Sequence, residues 1–133
     1  MPAEKSVKPN APRDLQAHSE APLWVLFIAL ATATQLAFKW AGSTLEGQEL
    51  GPAFIAAALA RTSVWTAIGG YAALFLVWIN ILKRVPLSRA FLITAIVYAP
   101  VTIGAWLIFG EQISALRTIG IATIMLGVVL IAS

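Results

Sequence analysis

One amide and one ammonium stand out in this chain. Gln35 and Lys39 lie four residues apart in an otherwise apolar stretch, PLWVLFIALATATQLAFKWAG. On a helix a step of four returns to the same face, so the two side chains share a stripe. Thr32 belongs to that stripe, three residues before Gln35. Polar groups inside a bilayer span are costly and tend to mark functional positions. The strip suits a substrate whose phosphate or carboxylate is drawn to Lys39 and whose other polar atoms bond to Gln35. A simpler alternative for Lys39 is snorkelling to the headgroup level from its place near the helix end. Gln35 is harder to dismiss, because an amide at that depth needs a partner.

A second polar row follows later. Thr94, Tyr98 and Thr102 recur every four residues, and they either line a cavity or satisfy a broken helix. The break is expected at Pro100, which has no N–H for the carbonyl of Ile96. Gly104 follows one turn on, so Pro100 and Gly104 together read as a hinge or kink. Glu111, in FGEQIS, is the acidic residue nearest the later spans. Capping the next helix through its dipole is one role; coupling or ligand contact is the other. Asn80, Lys83 and Arg84 read as an interface anchor, with anion contact as the alternative.

Several chemistries drop out. There is no cysteine, hence no thiolate metal site or thiol nucleophile. The single histidine, His18, lies in a polar tail. No nucleophile–base pair or metal cluster is present, which argues against an enzyme and against a bound cofactor or metal. No basic-aromatic interleaving suggests nucleic acid.

The elements that must position these residues are helices in lipid. The chain has 133 residues, 59% hydrophobic and 11% charged, against about 25% charged in soluble domains. A soluble core of this size could not hide so much apolar surface. Residues 1–21 are rich in Pro, Ala and charge and read as a disordered cytoplasmic tail. Apolar segments are expected at about 22–42, 63–82, 87–109 and 113–132, near the length of about 20 residues that crosses a bilayer. Pro22 suits the start of the first helix and Gly42 its end. The link 43–62 contains AFIAAALAR, which makes either a short interfacial helix or an extension of the second span. The short link Lys83–Pro86 implies a tight hairpin. Gly120 and Gly127, seven residues apart in the last span, share a face that suits close helix contact and a dimer seam.

Lys and Arg placement predicts orientation. Lys5, Lys8, Arg13, Lys83, Arg84 and Arg89 fall on one side, and Lys39, Arg61 and Arg117 on the other, six against three. Both termini are therefore expected in the cytoplasm.

At QLAFKWA, VPLSRAF, FGEQIS and GIATIMLGV the chain resembles four-helix members of the drug/metabolite transporter superfamily, the small multidrug resistance-like and EamA-like proteins. The Gln-Leu-x-x-Lys and Val-Pro-x-x-x-Ala spacings look most like the subunits of the aminoarabinose-phosphoundecaprenol flippase. The resemblance covers about 23–133. It implies an all-α bundle of four transmembrane helices in a bacterial inner membrane, a small-molecule or lipid-linked substrate, and a homo- or heterodimer through the fourth span. Small multidrug resistance proteins carry a membrane-embedded glutamate where this chain has Ala31 or a near neighbour. Their helix-three aromatic pair would fall at Phe91 and Thr94. These departures speak against a proton-coupled exporter of aromatic cations. A flippase-like subunit is the leading expectation. A drug or metabolite exporter with Glu111 or a partner chain supplying coupling is the second, and a non-transporting accessory subunit the third.

Overall fold

A computed structural model describes the backbone of residues 13–132 and the side chains of residues 20–131. Six α-helices follow one another: α1 (Arg13–Thr44), α2 (Pro52–Leu59), α3 (Thr62–Leu82), α4 (Leu87–Ile93), α5 (Tyr98–Phe109) and α6 (Ala115–Ala132), with a 3-10 turn at Thr94–Val97 joining α4 to α5. There is no strand among the described residues. Three stretches are long and apolar enough to cross a membrane, Glu20–Thr44, Thr62–Leu82 and Leu87–Phe109; the last apolar helix, Ala115–Ile131, is shorter. Closed helical hydrogen bonding is what makes such segments compatible with lipid.

Both expected ends of the first helix move. Pro22 lies inside α1 rather than at its start, and it is exposed at the edge of the span, where water can replace the missing bond. Of the expected disordered tail, residues 1–12 lie outside the described residues, and residues 13–21 are helical as the first turns of α1. Gly42 does not end α1 either. The chain stays helical to Thr44 because two hydroxyls take terminal carbonyls: Ser43 Oγ donates to Trp40 O at 2.8 Å and Thr44 Oγ1 to Ala41 O at 2.8 Å. Such carbonyls otherwise have no helical partner. The left-handed residue that turns the chain is Gly47, at φ +84°.

The segment AFIAAALAR makes a separate helix, α2, with Pro52 in its first turn. Arg61 is extended, at φ −98° and ψ 125°, which breaks α2 from α3. The Trp65 indole N–H bridges the break to Leu59 O at 2.9 Å.

α1 and α3 form the main packed pair. Phe27, Ala31, Ile81, Val85 and Ala90 make the core, with Ile81 only 1% exposed and Ala90 fully buried. Phe27 stacks between Trp24 and Trp78, at 6.0 and 5.3 Å between ring centroids. The link between α3 and α4 tucks Val85 into that core. Higher up, α1 crosses α3 at Thr34 and Gly70; a Cβ on Gly70 would stand 2.6 Å from Thr34 Oγ1. Ser63 Oγ and Thr44 Oγ1, 3.1 Å apart, tie the far ends of the two helices.

α5 seats on α1 where Gly104 faces Leu36; a Cβ there would meet Leu36 Cδ1 at 2.8 Å. Gly104, expected to flex with Pro100, thus has a packing role. The irregularity falls one turn before Pro100, at the 3-10 turn that contains Ile96, the residue whose carbonyl lacks a proline N–H. A 3-10 stretch in mid-helix is a recognised mark of a hinge or of local strain. α6 rests on α4 and the 3-10 turn, and most of its described side chains are exposed. It starts at Ala115 rather than Ile113, because left-handed Gly110, at φ +65°, ends α5 and Ser114 Oγ accepts the Arg117 N–H at 3.2 Å.

Candidate functional site

α1 carries Phe27, Ala31 and Gln35 at steps of four, and this stripe faces the gap between α3 and the α4–α5 rod. A cavity of about 420 Å³ fills the gap, bounded by Gln35, Leu74, Thr94, Val97 and Tyr98. A second, of about 410 Å³, adjoins it and shares Phe27, Leu74 and Thr94; its far wall is aromatic, with Tyr71, Phe75, Trp78 and Phe91. Together they form one open cleft with polar atoms at the Gln35 end and rings at the other.

The Gln35 amide donates to the Tyr71 hydroxyl at 3.2 Å. Tyr71 also meets Phe38 edge-on, centroids 5.8 Å apart, which fixes its ring beside α1. Tyr71 was not among the expected site residues. Its signal was available: a hydroxyl in an apolar span needs a partner as much as Gln35 does. Thr94 and Tyr98 line the same cavity as Gln35, while the Thr102 hydroxyl donates to Tyr98 O at 2.7 Å within its own helix. Phe91 and Thr94, where the aromatic pair of small multidrug resistance proteins would fall, both line the aromatic part.

Thr32 does not join the strip. It borders a different groove with Leu36 and Pro100, and its hydroxyl donates to Ile28 O at 2.7 Å. A three-residue step ends about 60° around the helix, and α5, seated at Leu36, divides the two sides.

Lys39 lies one turn beyond Gln35 and turns toward the end of α5. Its Nζ stands 2.9 Å from Glu111 Oε1, with the two side chains 54% and 32% exposed, and 6.0 Å from the centre of the Phe109 ring. This is the one ion pair among the described residues. The left-handed turn at Gly110 delivers Glu111 to it. The Lys39 ammonium holds the Glu111 carboxyl below the ordinary glutamate value, first through the hydrogen bond and then through its charge; Arg117 adds a weaker pull. Glu111 is the counter-ion of Lys39, and Ser114 rather than Glu111 caps α6.

Ala31, at or near the position where the resemblance to small multidrug resistance proteins would set a glutamate, is 4% exposed and packed in the α1–α3 core. Asn80 bonds to its own helix, Nδ2 to Leu76 O at 2.9 Å. Gly120 and Gly127 have open space around them; nothing in the chain comes within 4 Å of a Cβ placed on either.

Comparison with known proteins supplies the family. The chain is 33% identical over 103 residues to the probable 4-amino-4-deoxy-L-arabinose-phosphoundecaprenol flippase subunit ArnF of Pseudomonas aeruginosa, covering 76% of this chain and 75% of that one. It is 32% identical over 112 residues to the protein of the same name from Pseudomonas fluorescens, covering 80% and 82%. The chain belongs to this family of flippase subunits. A subunit named ArnE, from Serratia proteamaculans, is 39% identical over 56 residues, 42% of this chain and 49% of its own length. No family model and no solved structure matches. The flippase-subunit family is one of small membrane proteins built like the drug/metabolite transporters, and this member is an all-α, multi-pass membrane transporter subunit.

Proposed function

We propose that this chain is one subunit of a bacterial inner-membrane flippase for a polyprenyl-phosphate-linked sugar. The observation that carries the reading is the cleft between α1, α3 and α4–α5. Its polar end holds Gln35, Thr94 and Tyr98, with Lys39 one turn on; its other end is lined by rings. That polarity matches a substrate with a charged sugar head on an isoprenoid tail. The relatives' names specify an aminoarabinose joined through phosphate to undecaprenol, which has both parts. Lys39 takes the phosphate, Gln35 and Tyr71 bond to the sugar, and the isoprenoid lies along Phe75, Trp78 and Phe91. The 3-10 turn before Pro100 is where the α4–α5 rod flexes to let the head pass. The chain moves its substrate and makes no covalent change in it.

A partner chain belongs to this reading. α6 leaves Leu126, Leu116 and Ile119 at least 60% exposed, and Gly120 and Gly127 lie open on it. A related second subunit covers this face. The six-to-three bias of Lys and Arg residues supports both termini in the cytoplasm and a membrane domain over residues 22–133.

The test is Lys39→Ala in vesicles. Translocation of a polyprenyl-phosphate sugar is expected to fall at least a hundredfold while membrane level and subunit association stay unchanged. Transport at the unsubstituted rate would overturn the assignment of Lys39.

A further inference from the structure

One turn beyond Gln35, a cation stands beside its own anion. Lys39 and Glu111 come from elements far apart in sequence, meet at 2.9 Å, and stay half open to the surroundings. Neither is a buried structural pair. A ligand with an anionic group must therefore take Lys39 from Glu111. If the ligand carried only that anion, Glu111 would lose its counter-ion and face a like charge at close range. Arg117 acts on Glu111 only as the weakest of its charged neighbours and is a poor substitute for Lys39. A ligand bearing both an anion and an ammonium removes the difficulty. Its anion pairs with Lys39 and its ammonium with Glu111, so one ion pair is exchanged for two.

We propose that the Lys39–Glu111 pair is a zwitterion receptor, and that Glu111 is the residue that selects amine-bearing sugar heads over neutral ones. This rests on the reading of the chain as a flippase subunit and deepens it, by assigning the recognition of the substrate's amine to one carboxylate. The Gly110 turn matters here, because it carries Glu111 off the end of α5 to Lys39, one turn beyond Gln35. The same geometry explains the exposure of the pair: both charges must be reachable by a head that arrives from outside. In the empty state the pair keeps each charge satisfied. A neutral sugar phosphate displaces Glu111 without giving it a new partner, so it competes poorly.

The experiment uses the full chain, reconstituted into vesicles with any subunit that copurifies. Two probes differ in one group: a polyprenyl-phosphate pentose with a free amine, and the same lipid with the amine acetylated. Both retain a vicinal diol, so a membrane-impermeant periodate reagent reads translocation of each. The unsubstituted chain is expected to move the free-amine probe at least tenfold faster. Glu111→Gln is expected to slow the free-amine probe and speed the acetylated one, erasing the preference. Glu111→Asp keeps it. An unchanged ratio in Glu111→Gln, or equal rates for the two probes with the unsubstituted chain, overturns the selection by Glu111 and leaves the flippase reading standing. Failure of the unsubstituted chain to move either probe overturns that reading and this proposal together.

Discussion

α1 and α6 are both apolar helices, yet they sit in this molecule in opposite ways. α1 is held on two flanks. Thr34 meets Gly70 of α3, Leu36 meets Gly104 of α5, and Phe27 and Ala31 lie in the core. α6 touches α4 and the 3-10 turn, and Val128 is its one buried residue among those described. In lipid, apolar exposure alone costs nothing; what binds helices is close packing and polar contact. α1 is therefore the element on which the chain folds, and α6 is the element left for something else to hold.

Substitutions can break this contrast. The largest effect is expected from Ile81→Ala in the α1–α3 core. Truncating a buried residue of this size costs about 2–4 kcal/mol, read as a lower Tm in detergent. The matching change on α6, Leu126→Ala, should cost under about 0.5 kcal/mol. Equal losses would show that α6 is as firmly packed as α1.

Next comes Gly70→Val. Its branched side chain must enter the space held by Thr34, itself β-branched and stiff, so about 1–3 kcal/mol is expected from overpacking. Gly127→Val meets open space and should leave the Tm of the separate chain unchanged. If α6 is the seam with a second subunit, it should still weaken association on native gels.

A smaller effect sharpens the picture of α1. The Gln35–Tyr71 bond is a single polar contact between spans, and such contacts average about 0.6 kcal/mol in double-mutant cycles. Gln35→Leu and Tyr71→Phe should show coupling of that order. Purely additive losses would mean the bond does not form.

The smallest effect concerns pH. The Glu111 carboxyl is held below its ordinary value, chiefly by hydrogen bonding from Lys39. Its contribution is fully present above the unfolded glutamate value and is lost as pH falls through the lower folded value. Exposure to water keeps it small. The Tm of the unsubstituted chain should carry an acid-range decline that Glu111→Gln lacks.

The sequence and the structure divide the site unevenly. Gln35 and Lys39 were legible because polar atoms in an apolar span are conspicuous. Thr94 and Tyr98 were legible as a row, though only the cleft shows that it faces Gln35. Tyr71 escaped notice because an aromatic ring passes for apolar packing until its hydroxyl is asked for a partner. Thr32 was misplaced because a three-residue step is not quite a full turn, and α5 lies in between. The ends of α1 were misjudged at Pro22 and Gly42 because local propensity reads the residue alone, whereas Ser43 and Thr44 extend the helix by supplying their own bonds.

By itself the sequence determined that helices in lipid carry this chain, where the apolar stretches lie, and which polar atoms they must accommodate. Lys39 and Glu111 stood in it as separate charges. Only the tertiary structure decided that they touch, that Tyr71 answers Gln35, and that α6 stands apart. The physical reason is that the lipid-facing and helix-facing sides of a span are equally apolar. Helical periodicity fixes which residues share a face, but only packing against neighbours decides what that face meets.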